Sequence, residues 1–176
     1  MCNLIILVGY RGVGKTTIGR ELADSIGYDF CDTDDEVVRL HKASIVEIVA
    51  REGWQAFRQY EKEVLQSLKD REKTVVATGG GAILHQTQWL ELKDAGLIFW
   101  LSADEMVLQQ RLENDMAGSE QRPPLTDRAA AEEIAEVLRE RIPLYRQTAH
   151  YQIDTGKNGI AQAVKQIRQL LSQNSR

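Results

Sequence analysis

Short runs of consecutive apolar residues alternate along the chain with longer stretches whose apolar positions recur at helical spacing. Leu4 to Val8, Thr74 to Ala77 and Leu97 to Leu101 are the clearest runs, and all three are rich in aliphatic residues. Briefer runs at Asp29 to Cys31 and Tyr151 to Asp154, each followed by turn or polar residues, bring the expected strands to five. Such alternation predicts an α/β fold in which crossover helices join the strands of a parallel sheet.

The helical stretches have a readable buried face. Ile18, Leu22 and Ile26 follow the first strand, and Ile160, Val164, Ile167 and Leu171 predict a closing helix with one apolar stripe. Ser44 and Glu47 have the spacing of a capping box that opens a helix through Ile45, Ile48 and Val49. A further helix is expected to carry Trp54, Phe57, Val64, Leu65 and Leu68, and the charged stretch from Glu132 to Glu140 reads as a solvated helix face. One segment breaks the pattern: Asn114 to Arg128 lacks helical periodicity and holds Gly118, Pro123 and Pro124 among polar residues. A loop of that length in a compact domain serves as a lid or is disordered.

With 176 residues, one domain is expected, large enough to bury most of its apolar surface without disulfide or metal support. The run near the start is too short to span a membrane and no basic region or cleavage site accompanies it, which makes a soluble cytoplasmic protein the expectation. Cys2 and Cys31 lack the spacing of a disulfide framework or zinc site and read as reduced thiols. A net charge of -4, with Lys and Arg scattered among acids, offers no field for nucleic acid. Any bound anion must therefore be held by a local site.

That local site is visible. Gly9-Tyr10-Arg11-Gly12-Val13-Gly14-Lys15-Thr16 matches GxxxxGK[ST] between the first strand and the first helix. In such a loop the backbone N–H groups, those of Gly12, Val13 and Gly14 included, turn toward phosphate oxygens at a helix N-terminus. Lys15 is positioned for the β- and γ-phosphates of ATP, Thr16 for Mg²⁺, and Thr17 for the phosphate end of the nucleotide. The motif specifies nucleotide binding and leaves the acceptor open.

Three further groups bear on the acceptor. Asp32-Thr33-Asp34 follows the second strand, at the crevice where open α/β sheets bind ligands, yet the same acids suit a plain helix start beside Asp35 and Glu36. Arg58 and Glu61, three apart on one helix, read on spacing alone as a routine surface ion pair. Gly79-Gly80-Gly81 ends the third strand, where three glycines fit a close approach to backbone better than a merely flexible turn.

Taken in order, the P-loop, Asp32-Thr33-Asp34, Phe57-Arg58-Gln59-Tyr60-Glu61, Thr78-Gly79-Gly80-Gly81, Arg122-Pro123 and Arg141-Ile142-Pro143-Leu144-Tyr145-Arg146 resemble the shikimate kinase family over essentially the whole chain. The resemblance implies a nucleoside-monophosphate-kinase-like, three-layer P-loop fold with five parallel strands in the order 2-3-1-4-5. It divides residues 1–176 into a core (1–32, 62–113 and 128–176), a substrate-binding segment (33–61) and a lid (114–127). It also implies transfer of the γ-phosphoryl group of ATP to the 3-hydroxyl of shikimate, a step of aromatic amino acid biosynthesis, with Mg²⁺ required and a monomer expected. In those terms Asp34 holds the shikimate hydroxyls, Asp32 holds Mg²⁺ through water, and Arg58 and Arg141 grip the carboxylate. Gly79 and Gly80 face the pocket by their backbone, Glu61 orients Arg58, Arg122 swings onto the phosphates and Arg111 lies against adenine. The Pro123-Pro124 pair departs from the family's usual lid, in which leucine follows the first proline.

Two alternatives stand beside this reading: another small-molecule kinase of the same fold, for gluconate or a nucleotide, and a nucleotide-sensing module without catalysis. His41, His85 and His150 are isolated in sequence and read as structural. Trp89 and Trp100 read as core, as does Trp54, although it lies one turn before Arg58.

Overall fold

The computed structural model describes residues 3–116 and 130–174. Five strands form one parallel sheet: β1 (Leu4–Val8), β2 (Asp29–Asp32), β3 (Thr74–Ala77), β4 (Leu97–Ser102) and β5 (Tyr151–Asp154), in the order β2-β3-β1-β4-β5. Seven helices join or follow them among the described residues: α1 (Lys15–Ile26), α2 (Thr33–His41), α3 (Ile45–Ser67), α4 (Gln86–Ala95), α5 (Glu105–Met116), α6 (Ala130–Thr148) and α7 (Thr155–Gln173).

The central strand explains the layering. Every residue of β1 is buried, because successive side chains leave a strand on opposite faces and both faces are covered. Ile5 and Leu7 join Val75, Phe99 and Leu101 in a core shared with α1 and α7, while Leu4, Ile6 and Val8 join Val76, Ile98 and Trp100 on the other face. Trp89 belongs to that second core and donates its ring N–H to the Ala82 carbonyl at 2.8 Å. Cys31 is buried as a free thiol, and burial pushes its pKa up; Cys2 lies outside the described residues.

The two helices expected around Ser44 and Trp54 are the two halves of α3, separated by a kink at Gly53 (φ 83°). The start of α3 is the expected capping box: the Ser44 hydroxyl accepts from Glu47 N–H at 3.2 Å, and the Glu47 carboxylate accepts from Ser44 N–H at 2.7 Å. The helices differ from expectation in three other places. In α7 the buried face comprises Val164 and Ile167, whereas Ile160 is exposed, because the helix bends at Gly159 (φ 65°) just before it. Asn114 to Met116 continue α5 instead of opening a loop; Ala117 to Arg128, with Arg122, Pro123 and Pro124, lie outside the described residues. The charged stretch in α6 also carries Ile134, Val137 and Leu138 into the core, so it is solvated on one side only.

At the edge of the sheet, the Nδ1 atom of His150 accepts the Ile98 N–H at 3.0 Å. Partial burial and the positive charge of Lys93 lower the His150 pKa from 6.5, against a smaller opposing effect of Asp94. A proton on the ring is disfavoured in the folded protein, so this contribution to stability is complete above pH 6.5 and is lost as pH falls through the lower folded-state value. Replacing His150 with Asn keeps an acceptor near the same place and removes the titration. Thermal unfolding followed from pH 7.5 to pH 5 should therefore show a shallower loss of Tm in the variant; parallel curves would remove His150 as the cause.

Candidate active site

The P-loop runs from β1 to α1 with positive φ at Gly9, Gly12 and Gly14, and Gly14 is the N-cap of the helix. The Lys15 side chain turns back into the loop, its Nζ donating to the Gly9 and Tyr10 carbonyls at 2.8 Å each. A buried ammonium thereby stands at the centre of a ring of backbone groups. Thr16 and Thr17 are exposed on the first turn of α1, and the Thr16 hydroxyl donates to Asp32 Oδ2 at 2.8 Å. On the other side of the loop, Arg111 reaches from α5: it donates to the Thr155 carbonyl at 2.9 Å, the Thr155 hydroxyl at 3.2 Å and the Gly12 carbonyl at 3.4 Å.

Both readings of Asp32-Thr33-Asp34 hold at once. Asp32 caps α2, its Oδ1 accepting from Asp34 N–H at 3.0 Å, while its other oxygen faces Thr16. Thr33 is buried and its hydroxyl accepts from Gly79 N–H at 2.9 Å, which ties the start of α2 to the end of β3. Asp34, also buried, turns into a pocket beside the P-loop.

Asp34, Arg58, Glu61, Gly80 and Arg141 all line this pocket, which offers about 490 Å³ of space including its open mouth. Arg58 and Glu61 are no surface pair. Arg58 Nη1 donates to Glu61 Oε2, and the Glu61 side chain is only 2% exposed. The guanidinium lies 5.5 Å from the ring centroids of both Trp54 and Phe57. Arg141, 7% exposed, donates through Nη1 to the Gly80 carbonyl at 2.8 Å, and its buried Nε has no acceptor among the described residues.

The glycines explain how charged groups crowd here. A Cβ at Gly79 would sit 2.5 Å from Asp34 Oδ1 and 2.9 Å from Glu61 Oε1, and one at Gly81 would collide with the Arg58 guanidinium. Gly79 does not line the pocket, and its N–H is spent on Thr33; it admits the two carboxylates by lacking a side chain. Gly80 lines the pocket, but its carbonyl is taken by Arg141 and by the Tyr145 hydroxyl at 3.2 Å.

Sequence reasoning missed several members of this wall. Trp54 lines the pocket while also packing against the core around Phe57, and its position one turn before Arg58 is the signal for the pocket contact. Tyr10, Arg11 and Ile45 also line it, two of them from the variable positions of the P-loop motif, where the pattern carries no information. His85 is isolated in sequence, yet its Nε2 lies 3.5 Å from Glu61 Oε2. The remaining histidines are remote: His150 is at the sheet edge and His41 stacks on Tyr60 at 3.6 Å.

Residues 11–172 match the family model described as shikimate kinase. The chain belongs to the shikimate kinase family. A relative from Pectobacterium atrosepticum named shikimate kinase 2 is 42% identical over 170 residues, 97% of each chain. Among solved structures, a shikimate kinase from Acinetobacter baumannii in complex with shikimate superposes with a TM-score of 0.90 at 37% identity, covering 99% of this chain and 95% of that one. Shikimate kinase from Aquifex aeolicus gives 0.78 at 29% identity, with 98% of both chains covered. In this member of the family, the described part of the site comes from the P-loop, the β2–α2 junction, α3, the β3 glycines and α6.

Proposed function

We infer that this chain is an ATP-dependent kinase that transfers the γ-phosphoryl group to the 3-hydroxyl of shikimate, giving shikimate 3-phosphate and ADP. The observation that carries the reading is the charge arrangement of one pocket. Buried Asp34 stands in the same cavity as Arg58 and Arg141, and Arg141 keeps an unmatched buried N–H. An acceptor bearing hydroxyls on one side and a carboxylate on another satisfies all three groups, because guanidinium forks match carboxylates and a carboxylate accepts from hydroxyls.

Phosphoryl transfer needs positioning and charge stabilisation more than covalent chemistry. Lys15 supplies a positive charge between the β- and γ-phosphates once nucleotide draws it from the loop carbonyls, and Thr17 binds the phosphate end of the nucleotide. The backbone N–H groups of Gly12, Val13 and Gly14 hold the phosphates, with Arg111 against the adenine. Asp34 accepts a hydrogen bond from the attacking hydroxyl and aims it along the line of displacement. Arg58, oriented by Glu61, and Arg141, oriented by the Gly80 carbonyl, hold the carboxylate end. Arg122 closes onto the phosphates from the lid that follows α5, which excludes water and so suppresses hydrolysis.

The hydroxyl of Thr16 and the carboxylate of Asp32 fit Mg²⁺: both are hard oxygen donors, they lie 2.8 Å apart at the mouth of the loop, and Mg²⁺ takes one or two protein oxygens together with phosphates and waters. Thr16 would hold it directly and Asp32 through water, and the ion would neutralise charge on the phosphoryl oxygens. We also read the protein as a cytoplasmic monomer that engages neither nucleic acid nor membrane. A net charge of -4, with no basic run, offers no field for nucleic acid or an anionic membrane surface. No helix among the described residues is long and apolar enough to cross a membrane.

Coupled ADP release measured with shikimate, with gluconate and with no acceptor tests the assignment. Only shikimate should stimulate it; stimulation by gluconate, or by nothing, would assign a different activity. The carboxylate contact is tested by Arg58→Ala, which should weaken shikimate binding by about 1.5–3 kcal/mol as a charged hydrogen bond is lost. With the carboxamide analogue of shikimate the loss should be far smaller, since the partner charge is already gone. Equal damage with acid and amide would remove Arg58 from the carboxylate.

A further inference from the structure

Resting on this assignment of the pocket, we propose that His85 is a positioning residue for shikimate binding, acting through Glu61 on Arg58. His85 occupies the N-cap position of α4, where Ser, Thr, Asp and Asn are favoured because their side chains accept helix N–H groups. It makes no such bond. Its backbone carbonyl accepts from Gln88 and Trp89 N–H at 3.0 and 3.3 Å, while the imidazole turns away from the helix toward Glu61. A residue that leaves its helix without a side-chain cap and instead contacts a buried carboxylate of the pocket wall is placed by that contact.

Glu61 is where the contact matters. Its Oε2 meets Arg58 Nη1 and His85 Nε2, and its Oε1 faces the bare backbone of Gly79. A carboxylate 2% exposed needs partners on each side to keep one orientation. Arg58 approaches it from the same helix, three residues earlier, so that pair alone fixes Glu61 only relative to α3. His85 comes from beyond the β3 glycines, on a different element, and ties the α3 wall to the glycine wall. Without it the Glu61 carboxylate is free to pivot with Arg58, and the fork loses its fixed aim at the substrate carboxylate. Because that carboxylate is unchanged in the reaction, the effect belongs in KM for shikimate and not in kcat.

Two substitutions separate this role from a purely structural one. His85→Asn places a good N-cap residue at the start of α4 but is too short to reach Glu61. It should raise KM for shikimate about threefold to tenfold, the range expected for one modest hydrogen bond, with kcat within about twofold. KM for ATP should stay at the parent value, and Tm should equal or exceed that of the parent. His85→Gln carries an amide N–H near the place of Nε2 and should keep KM for shikimate within about twofold of the parent. In a Glu61→Gln background, His85→Asn should add little, since the two residues act as one unit. A parent-like KM in His85→Asn, a KM raised equally by Asn and Gln, or an undiminished effect in the Glu61→Gln background would each overturn the proposal. A parent protein without shikimate-dependent ADP release would instead overturn the assignment of the pocket itself, and that outcome is read before any variant is made.

Discussion

Replacing Lys15 with Ala is expected to lower kcat by about 10²–10³-fold, the loss typical of one preorganised group that stabilises transition-state charge. The ammonium is buried within the P-loop and held by two carbonyl oxygens at 2.8 Å, so it waits beside the phosphate site and exchanges those carbonyls for phosphate oxygens when nucleotide arrives. Charge on the β–γ bridge grows as the γ-phosphoryl group departs, and a fixed positive charge therefore favours the transition state over the ground state. Stability should also fall, by roughly 1–3 kcal/mol, because the buried Gly9 and Tyr10 carbonyls lose their donor. Coupled ADP release at saturating shikimate, paired with a melting curve, checks both parts. A kcat within about threefold of the parent in a well-folded variant would detach Lys15 from catalysis, since such a loss is far below that of a preorganised charge.

What was legible in the sequence follows from how local each feature is. The strands were visible because a parallel strand is buried on both faces and therefore reads as an unbroken apolar run, as Leu4 to Val8 does. The strand edges at Asp32 and Ser102 were missed by one residue, because polar side chains there continue the backbone pairing while turning toward the crevice. The P-loop was legible since its parts are contiguous. The pocket was not legible from residue patterns, because it joins segments as distant as Asp34, Arg58 and Arg141, and only the resemblance to a family grouped them. Spacing alone made Arg58 and Glu61 a surface pair; the burial of Glu61 beneath Gly79 is a tertiary fact that no helical periodicity encodes. His85 shows the same limit more sharply. Nothing local distinguishes it from His41, and its contact with Glu61 depends on how the turn after Gly81 meets α3.

Asp34→Asn should abolish most turnover while leaving nucleotide binding intact. Asparagine has nearly the shape of aspartate, so it fits the space that the bare Gly79 backbone leaves against Oδ1, and the backbone N–H of residue 34 still reaches Asp32. What is lost is the charge that orients the attacking hydroxyl and draws on its proton as the new bond forms. Positioned acid–base groups contribute about 10²–10⁴-fold, and kcat should fall within that range. The variant also distinguishes Asp34 from the arginines that share its pocket. Removing a negative charge beside Arg58 and Arg141 makes the cavity more favourable to a carboxylate, so KM for shikimate should hold or fall even as kcat collapses. Arg58→Ala should do the reverse, raising KM first. Titration with a fluorescent nucleotide and steady-state kinetics in shikimate separate the outcomes: lost nucleotide affinity would move Asp34 out of the acceptor site, and a raised KM with kcat preserved would make it a binding residue without a part in aiming the hydroxyl.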